Sequence, residues 1–270
     1  MMILYCENLM KNLSKTIYLF FIYGFFYIPI ILLIIFSVNN ATFSLVWHGF
    51  TWKWYQQLFS DSDLQLVTLH SLFLGILAAS ISTLLGLLAA VSLYRYKFFG
   101  RKLLHGLIFV LIVSPDIVTG ISLLILFSTL KISLGFWTLL IAHITLCLPF
   151  VVVTVYSRLS GFDENILEAA KDLGARESTI FIKIIAPLLM PALLAGWLLS
   201  FSLSLDDVII SYFVTGPDFN ILPLQIYSLV RLGVKPEINA LCSVLFSLTL
   251  FLVIISQLLL RTTPRTLIKD

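Results

Sequence analysis

What most constrains this chain is a set of six long stretches from which charged side chains are all but missing. They run roughly from Ile17 to Val38, Leu66 to Tyr94, Leu103 to Leu130, Ile132 to Ser157, Ile184 to Leu205 and Ile238 to Leu260, and Asp116 is the one Asp, Glu, Lys or Arg within them. A bilayer core about 30 Å thick is crossed by about 20 apolar residues in a helix. The first stretch alone has 22 residues. In lipid, only helices and closed barrels satisfy their own backbone. Barrel strands alternate apolar and polar positions, whereas Ile76-Leu77-Ala78-Ala79 and Leu84-Leu85-Gly86-Leu87-Leu88 are apolar at consecutive positions. The expectation is an all-α integral membrane protein with six transmembrane helices, forming a single transmembrane domain over residues 1–270. Composition agrees, at 60% hydrophobic and 11% charged against about 45–50% and 25% for soluble domains.

Lys11 and Lys15 precede the first stretch as they would in a signal peptide. Its length exceeds the about 7–15 residues of a cleaved hydrophobic region, and Ser37-Val38-Asn39-Asn40 offers no small-residue cleavage pattern, so a retained anchor is expected. Basic residues accumulate on the cytoplasmic side of a membrane protein. With six crossings, the N-terminus, the 95–102 loop, the 158–187 loop and the C-terminal tail share one side and hold thirteen of the 17 Lys and Arg residues. Lys53, Lys131, Arg231 and Lys235 hold the other. Both termini are therefore expected in the cytoplasm of a bacterium, with the chain in its inner membrane. The acidic residues Asp61, Asp63, Asp206, Asp207, Asp218 and Glu237 fall at or near the outer face, an excess that favours cationic over anionic partners. The outer 39–65 stretch also carries Phe43, Trp47, Phe50, Trp52, Trp54, Tyr55 and Phe59. An interfacial aromatic belt explains them, and a docking surface for an external partner is the alternative.

Cys6, Cys147 and Cys242 are too far apart to read as a disulfide framework or a metal site. His70, His105 and His143 lack metal-ligand spacing. Gly75, Gly86, Gly120 and Gly196 are expected to permit close helix packing. Asp116 differs from all of these. An ionised carboxylate at membrane depth is costly and by default faces a cavity or a partner, although an Asp capping a helix broken at Pro115 would occupy the same place. Asp206 and Asp207, followed by Tyr212 and Phe213, are the other candidates for a cation pathway, since carboxylates replace hydration and aromatic faces attract cations; acids that mark the water boundary or cap the 206–216 stretch would stand in the same place.

The longest cytoplasmic connection, Arg158 to Pro187, is patterned rather than loose. Asp163 is placed to cap a helix with Glu164 in its first turn, Ile166, Leu167, Ala170 and Leu173 along one face, and Gly174 as the stop. A second short helix aligns Ile180, Phe181, Ile184 and Ile185 before Pro187 and Pro191 open the next span. Membrane-surface helices usually have a basic polar face, but this one has Asp163, Glu164, Glu168 and Asp172. Its apolar side therefore points to a protein partner.

The run Glu168-Ala169-Ala170, then Gly174, Ile184 and Pro187, resembles the EAA loop of ABC importer permeases, with Ala186 standing where that pattern has Leu. The resemblance extends from about Pro29 to Gln257. Ser114-Pro115-Asp116-Ile117-Val118, the Leu148 to Arg158 block, Asp206-Asp207-Val208, Phe213-Val214-Thr215-Gly216-Pro217 and Ile221-Leu222-Pro223-Leu224 are similar to spermidine/putrescine permease subunits. The resemblance implies a type I (MetI-like) importer bundle whose coupling helices, carrying Asp163, Glu168, Ala169, Ala170, Leu173 and Gly174, insert into an ATPase subunit. It also implies a homologous second permease, an ATPase dimer and an external polyamine-binding protein as partners. With no Gly-Lys-Ser or Gly-Lys-Thr the chain has no P-loop, so it is expected to be non-catalytic and without a cofactor of its own, ATP and Mg being bound by the ATPase. Nothing points to nucleic acid. A permease for another small solute, or an ion-coupled secondary transporter, remains open; inverted repeats would mark the latter, and no convincing duplication is present.

Overall fold

The computed structural model describes residues 2–41, 46–161, 164–231, 233 and 235–261; Phe43 and Asp163 lie outside them. In chain order the helices are α1 (Met2–Phe36), α2 (Lys53–Ser60), α3 (Ser62–Arg95), α4 (Arg101–Val113), α5 (Asp116–Thr129), α6 (Phe136–Ser160), α7 (Glu164–Asp172), α8 (Glu177–Ile180), α9 (Ala186–Asp206), α10 (Ile209–Val214), α11 (Leu222–Arg231) and α12 (Pro236–Arg261). Among the described residues β pairing is limited to two isolated bridges, Asn39 with Phe50 and Gly216 with Phe219. Five helical segments are long and apolar enough to cross a membrane, and a sixth crossing exists if α4 and α5 count together.

That sixth crossing differs from the unbroken helix expected over Leu103 to Leu130, because α4 and α5 meet at 115°. Pro115 has no N–H to continue the ladder and disfavours a helical conformation at the residue before it. Ser114 is accordingly extended at φ −64°, ψ 131°, and Pro115 at φ −61°, ψ 137°. The fifth span also departs from expectation. It starts at Glu177 rather than Ile184, since α8 runs into α9 through a π turn over Phe181–Ile185. Ala186 N–H donates to Phe181 O, five residues back. The extra residue in that turn lets the helix continue past Pro187, which cannot donate to its own ladder partner.

The chain forms two compact units, Met1–Ser62 with Leu229–Leu248, and Asp63–Ser228 with Thr249–Asp270. In the first, the spanning part of α1 buries none of its side chains fully: Phe20 and Phe25 are exposed, while Ile22, Ile30 and Leu33 are half-buried. The stretch after it is tied by Tyr55 Oη 2.8 Å from Ser37 Oγ and by Trp54 Nε1–H donating to Asn39 O at 2.7 Å. Buried Asn39 in turn donates through Nδ2 to Val46 O and accepts from His48 N–H.

In the second unit α6 is the central helix. Between helices already in lipid there is little hydrophobic drive to associate, so close van der Waals packing has to hold them. Val151 of α6 supplies it: a Cβ added to Gly86 of α3 would lie 2.5 Å from its Cγ1, and one added to Gly196 of α9 would lie 3.4 Å away. One apolar cluster surrounds this contact, with Leu93, Val155, Leu159, Ala170, Ile180, Ile185 and Leu189. A second joins Leu74, Ala78, Leu139, Ala142, Ile210, Val214 and Ile221. Along α6 the change from one cluster to the other falls at Cys147, between Leu146 and Leu148.

Candidate functional site

Two groups of candidate residues stand at opposite ends of α9. At its C-terminus the helix stops at Asp206, Asp207 turns extended, and α10 begins two residues on. Asp207 is buried because it serves the start of α10. Its Oδ1 accepts from Ile210 N–H at 3.2 Å, and its Oδ2 accepts from Ser211 N–H at 2.8 Å and from Ser211 Oγ–H at 2.7 Å. The first N–H groups of a helix have no partner within it, and a carboxylate there satisfies them and favours the dipole. Asp206, one residue earlier, is exposed. Adjacent acids are thus divided between a structural task and an accessible one.

Asp116 opens α5 immediately after the break at Pro115, and it is exposed. It is close enough to Asp206 for their charges to interact. The reason is the packing of α5 on α10: a Cβ on Gly120 would lie 2.8 Å from Phe213 Cδ2 and 3.3 Å from Ile210 Cα. Phe213 therefore sits against bare backbone, while Tyr212, edge-on to it at 5.7 Å between centroids, is 61% exposed. Of the sequence candidates, Asp116, Asp206 and Tyr212 offer accessible side chains, whereas Asp207 and Phe213 hold the elements that carry them.

Residues that sequence reasoning passed over complete this end. His143 is fully buried, its Nδ1 2.6 Å from Ser204 Oγ and its Nε2 2.9 Å from Ser211 Oγ. The same Nε2 lies 3.7 Å from Asp207 Oδ2. A lone histidine inside an apolar run was the available signal, and metal-ligand spacing was the wrong question to ask of it. Among the described residues no group of His, Cys, Asp and Glu is arranged to hold a metal.

At the other end, α7 closes in a Schellman motif. Ala175 N–H donates to Ala170 O at 3.0 Å, Gly174 N–H to Lys171 O at 2.8 Å, and Gly174 takes φ +77°. The apolar stripe expected on one face is divided. Ala170 is buried in the cluster with Ile180 and Ile185, while Ile166, Ala169 and Leu173, the last 88% exposed, form an outward ridge. Glu168 is exposed beside it. Arg95, at the end of α3, also escaped the sequence reading: its Nη2–H donates to Glu177 Oε2 at 2.7 Å, and Lys171 Nζ approaches Glu177 Oε1 at 3.5 Å. Glu177 thus joins α3, α7 and α8. A cavity of about 310 Å³ lies alongside, lined by Leu88, Arg95, Tyr96, Glu177, Phe181 and Ile182 among others.

Residues 82–265 match the family model described as "Binding-protein-dependent transport system inner membrane component". Over 240 residues the chain is 58% identical to the spermidine/putrescine transport system permease protein PotC of Escherichia coli (strain K12), covering 89% of this chain and 91% of that protein. It is 38% identical over 256 residues to the putrescine transport system permease protein PotI of the same organism, covering 92% and 91%. Among solved structures, a bacterial ABC transporter involved in the import of the acidic polysaccharide alginate superposes with a TM-score of 0.70 at 17% identity, covering 93% of this chain and 95% of that one. At that identity the likeness concerns the fold alone.

Proposed function

The chain belongs to the family of binding-protein-dependent transport system inner membrane components, and from that premise we propose that it is the permease subunit of an ATP-driven ABC importer that carries polyamines, spermidine or putrescine, into the cytoplasm. The observation that carries the substrate class is the 58% identity to a spermidine/putrescine permease over nearly the whole of both chains. The chain itself is non-catalytic. ATP and Mg belong to a pair of ATPase subunits, and a homologous second permease and an external polyamine-binding protein complete the assembly.

The thirteen-to-four division of basic residues supports cytoplasmic termini and a cytoplasmic α7 end of α9. There the ridge of Ile166, Ala169 and Leu173, flanked by Glu168, suits insertion into a groove of the ATPase. Asp163 belongs to the same coupling loop. Gly174 ends the helix and Ala170 seats it on the permease. On the outer side Asp116 and Asp206 meet the protonated amines of the substrate, with Tyr212 as an aromatic face, and Asp207 and Phe213 fix the turn that presents them. Alternating access then consists of ATP-driven closure of the ATPase pair, passed through α7 and α8 into α9.

Reconstitution with the second permease, the ATPase and the binding protein tests this directly. Polyamine-loaded binding protein is expected to stimulate ATP hydrolysis and uptake, and stimulation by other loaded binding proteins but not by this one would overturn the substrate class. Asp116→Asn is expected to lower polyamine uptake while the complex still assembles; unaltered uptake kinetics would remove Asp116 from the pathway.

A further inference from the structure

The imidazole of His143 belongs to a hydrogen-bonded chain whose direction follows from counting protons. Ser211 has one hydroxyl proton, and its Oγ–H is donated to Asp207 Oδ2 at 2.7 Å. The 2.9 Å contact between that same oxygen and His143 Nε2 therefore needs the ring to donate. In a neutral imidazole the other nitrogen then accepts, so Ser204 Oγ–H donates to Nδ1 at 2.6 Å. The chain runs one way, from Ser204 on α9 through His143 on α6 and Ser211 on α10 to the carboxylate of Asp207. Its side chains are all buried.

Capping α10 does not require this chain. Two backbone N–H groups, of Ile210 and Ser211, already reach the Asp207 carboxylate. Placing a histidine within a membrane span is costly unless it is partnered, and such residues are functional by default. What His143 adds is a link between three elements at the point where α9 breaks. The break carries Asp206, and the face of α10 against Gly120 sets where α5 presents Asp116.

We propose that His143 is a positioning residue of the transport site: by tying Ser204 of α9 to Ser211 of α10 through α6, it holds the break between those two helices and so the place where Asp206, beside Asp116, receives the cationic substrate. This rests on the polyamine pathway proposed above. Without the ring, Asp207 still caps α10, but Ser204 and Ser211 lose their common partner and the α9–α10 break that carries Asp206 is free to shift. The consequence is weaker engagement of substrate rather than a slower cycle.

The complete complex in proteoliposomes provides the test, with spermidine uptake measured at saturating binding protein and assembled complex quantified alongside. For His143→Phe, which fills the site but abolishes both hydrogen bonds, a normal yield of complex and an apparent KM raised on the order of tenfold are expected, the loss of one or two buried hydrogen bonds. His143→Gln, which keeps one donor and one acceptor, is expected to recover most of that shift. A fall in yield or Vmax with KM unchanged would assign His143 to structure alone and overturn the proposal. Should His143→Phe fail to assemble, Ser204→Ala and Ser211→Ala each interrupt the relay once; unchanged KM in both would overturn it equally. Asp116→Asn and Asp206→Asn in the same preparations separate the two ideas. If neither raises KM, the pathway itself fails, whereas if both do and the His143 variants do not, only the relay fails.

Discussion

At the scale of single residues, acids that look equivalent in the sequence are separated by their surroundings. Asp206 and Asp207 are neighbours, yet one is exposed and the other takes three hydrogen bonds at the start of α10. Charge and position made both legible as candidates, but only the backbone turn at Asp207 divides their tasks. Asp116 was legible because an acid at membrane depth has so few bland explanations. His143 was not, since its partners Ser204 and Ser211 are 61 and 68 residues away. Gly120 lends itself to a sharp test. A valine there would press its Cβ into Phe213 and the backbone of Ile210, and overpacking of this kind costs about 1–3 kcal/mol. Gly120→Val is expected to lose most uptake while still inserting in the membrane, as read by transport assay and membrane quantification; near-normal uptake would mean that α5 and α10 separate freely.

At the scale of elements, the α7 turn and its anchor carry the predictions. Open space surrounds the Cα of Gly174, so an added methyl group meets nothing, but φ +77° disfavours any other L-residue. Gly174→Ala is therefore expected to cost about 1 kcal/mol through the backbone alone. Co-purification of the ATPase should fall several-fold, and Gly174→Asn, better tolerated in this conformation, should fall less. Arg95 and Glu177 form the second pair to test. Arg95→Glu is expected to weaken ATPase-coupled uptake, and adding Glu177→Arg to restore part of it; failure of the double variant to recover anything would show that the pair does not tie α3 to α8 during transport. Helix α7 and its glycine stop were readable because periodicity and a Schellman glycine are local signals. The 115° break at Pro115 was half readable, as Ser114-Pro115 announces an extended step while apolar length alone merges α4 and α5. The π turn was hidden because nothing in Phe181–Ile185, four apolar residues around Lys183, differs in type from an ordinary amphipathic helix.

At the scale of the whole molecule, a span count follows from where charges are missing, an orientation is expected from where the basic residues collect, and the match of residues 82–265 to a transporter family agrees with the membrane reading. An energy source outside the chain has a direct check. Uptake into vesicles is expected to stop when ATP is removed while an ion gradient is maintained, and persistence under those conditions would favour a gradient-driven carrier. The continuous helical path from Glu177 to Asp206 has a mechanical consequence. Its 30 residues span about 45 Å at the usual helical rise. The π turn adds a residue to this shaft without cutting it, so the salt-bridged foot and the acidic tip belong to one uninterrupted run of helix.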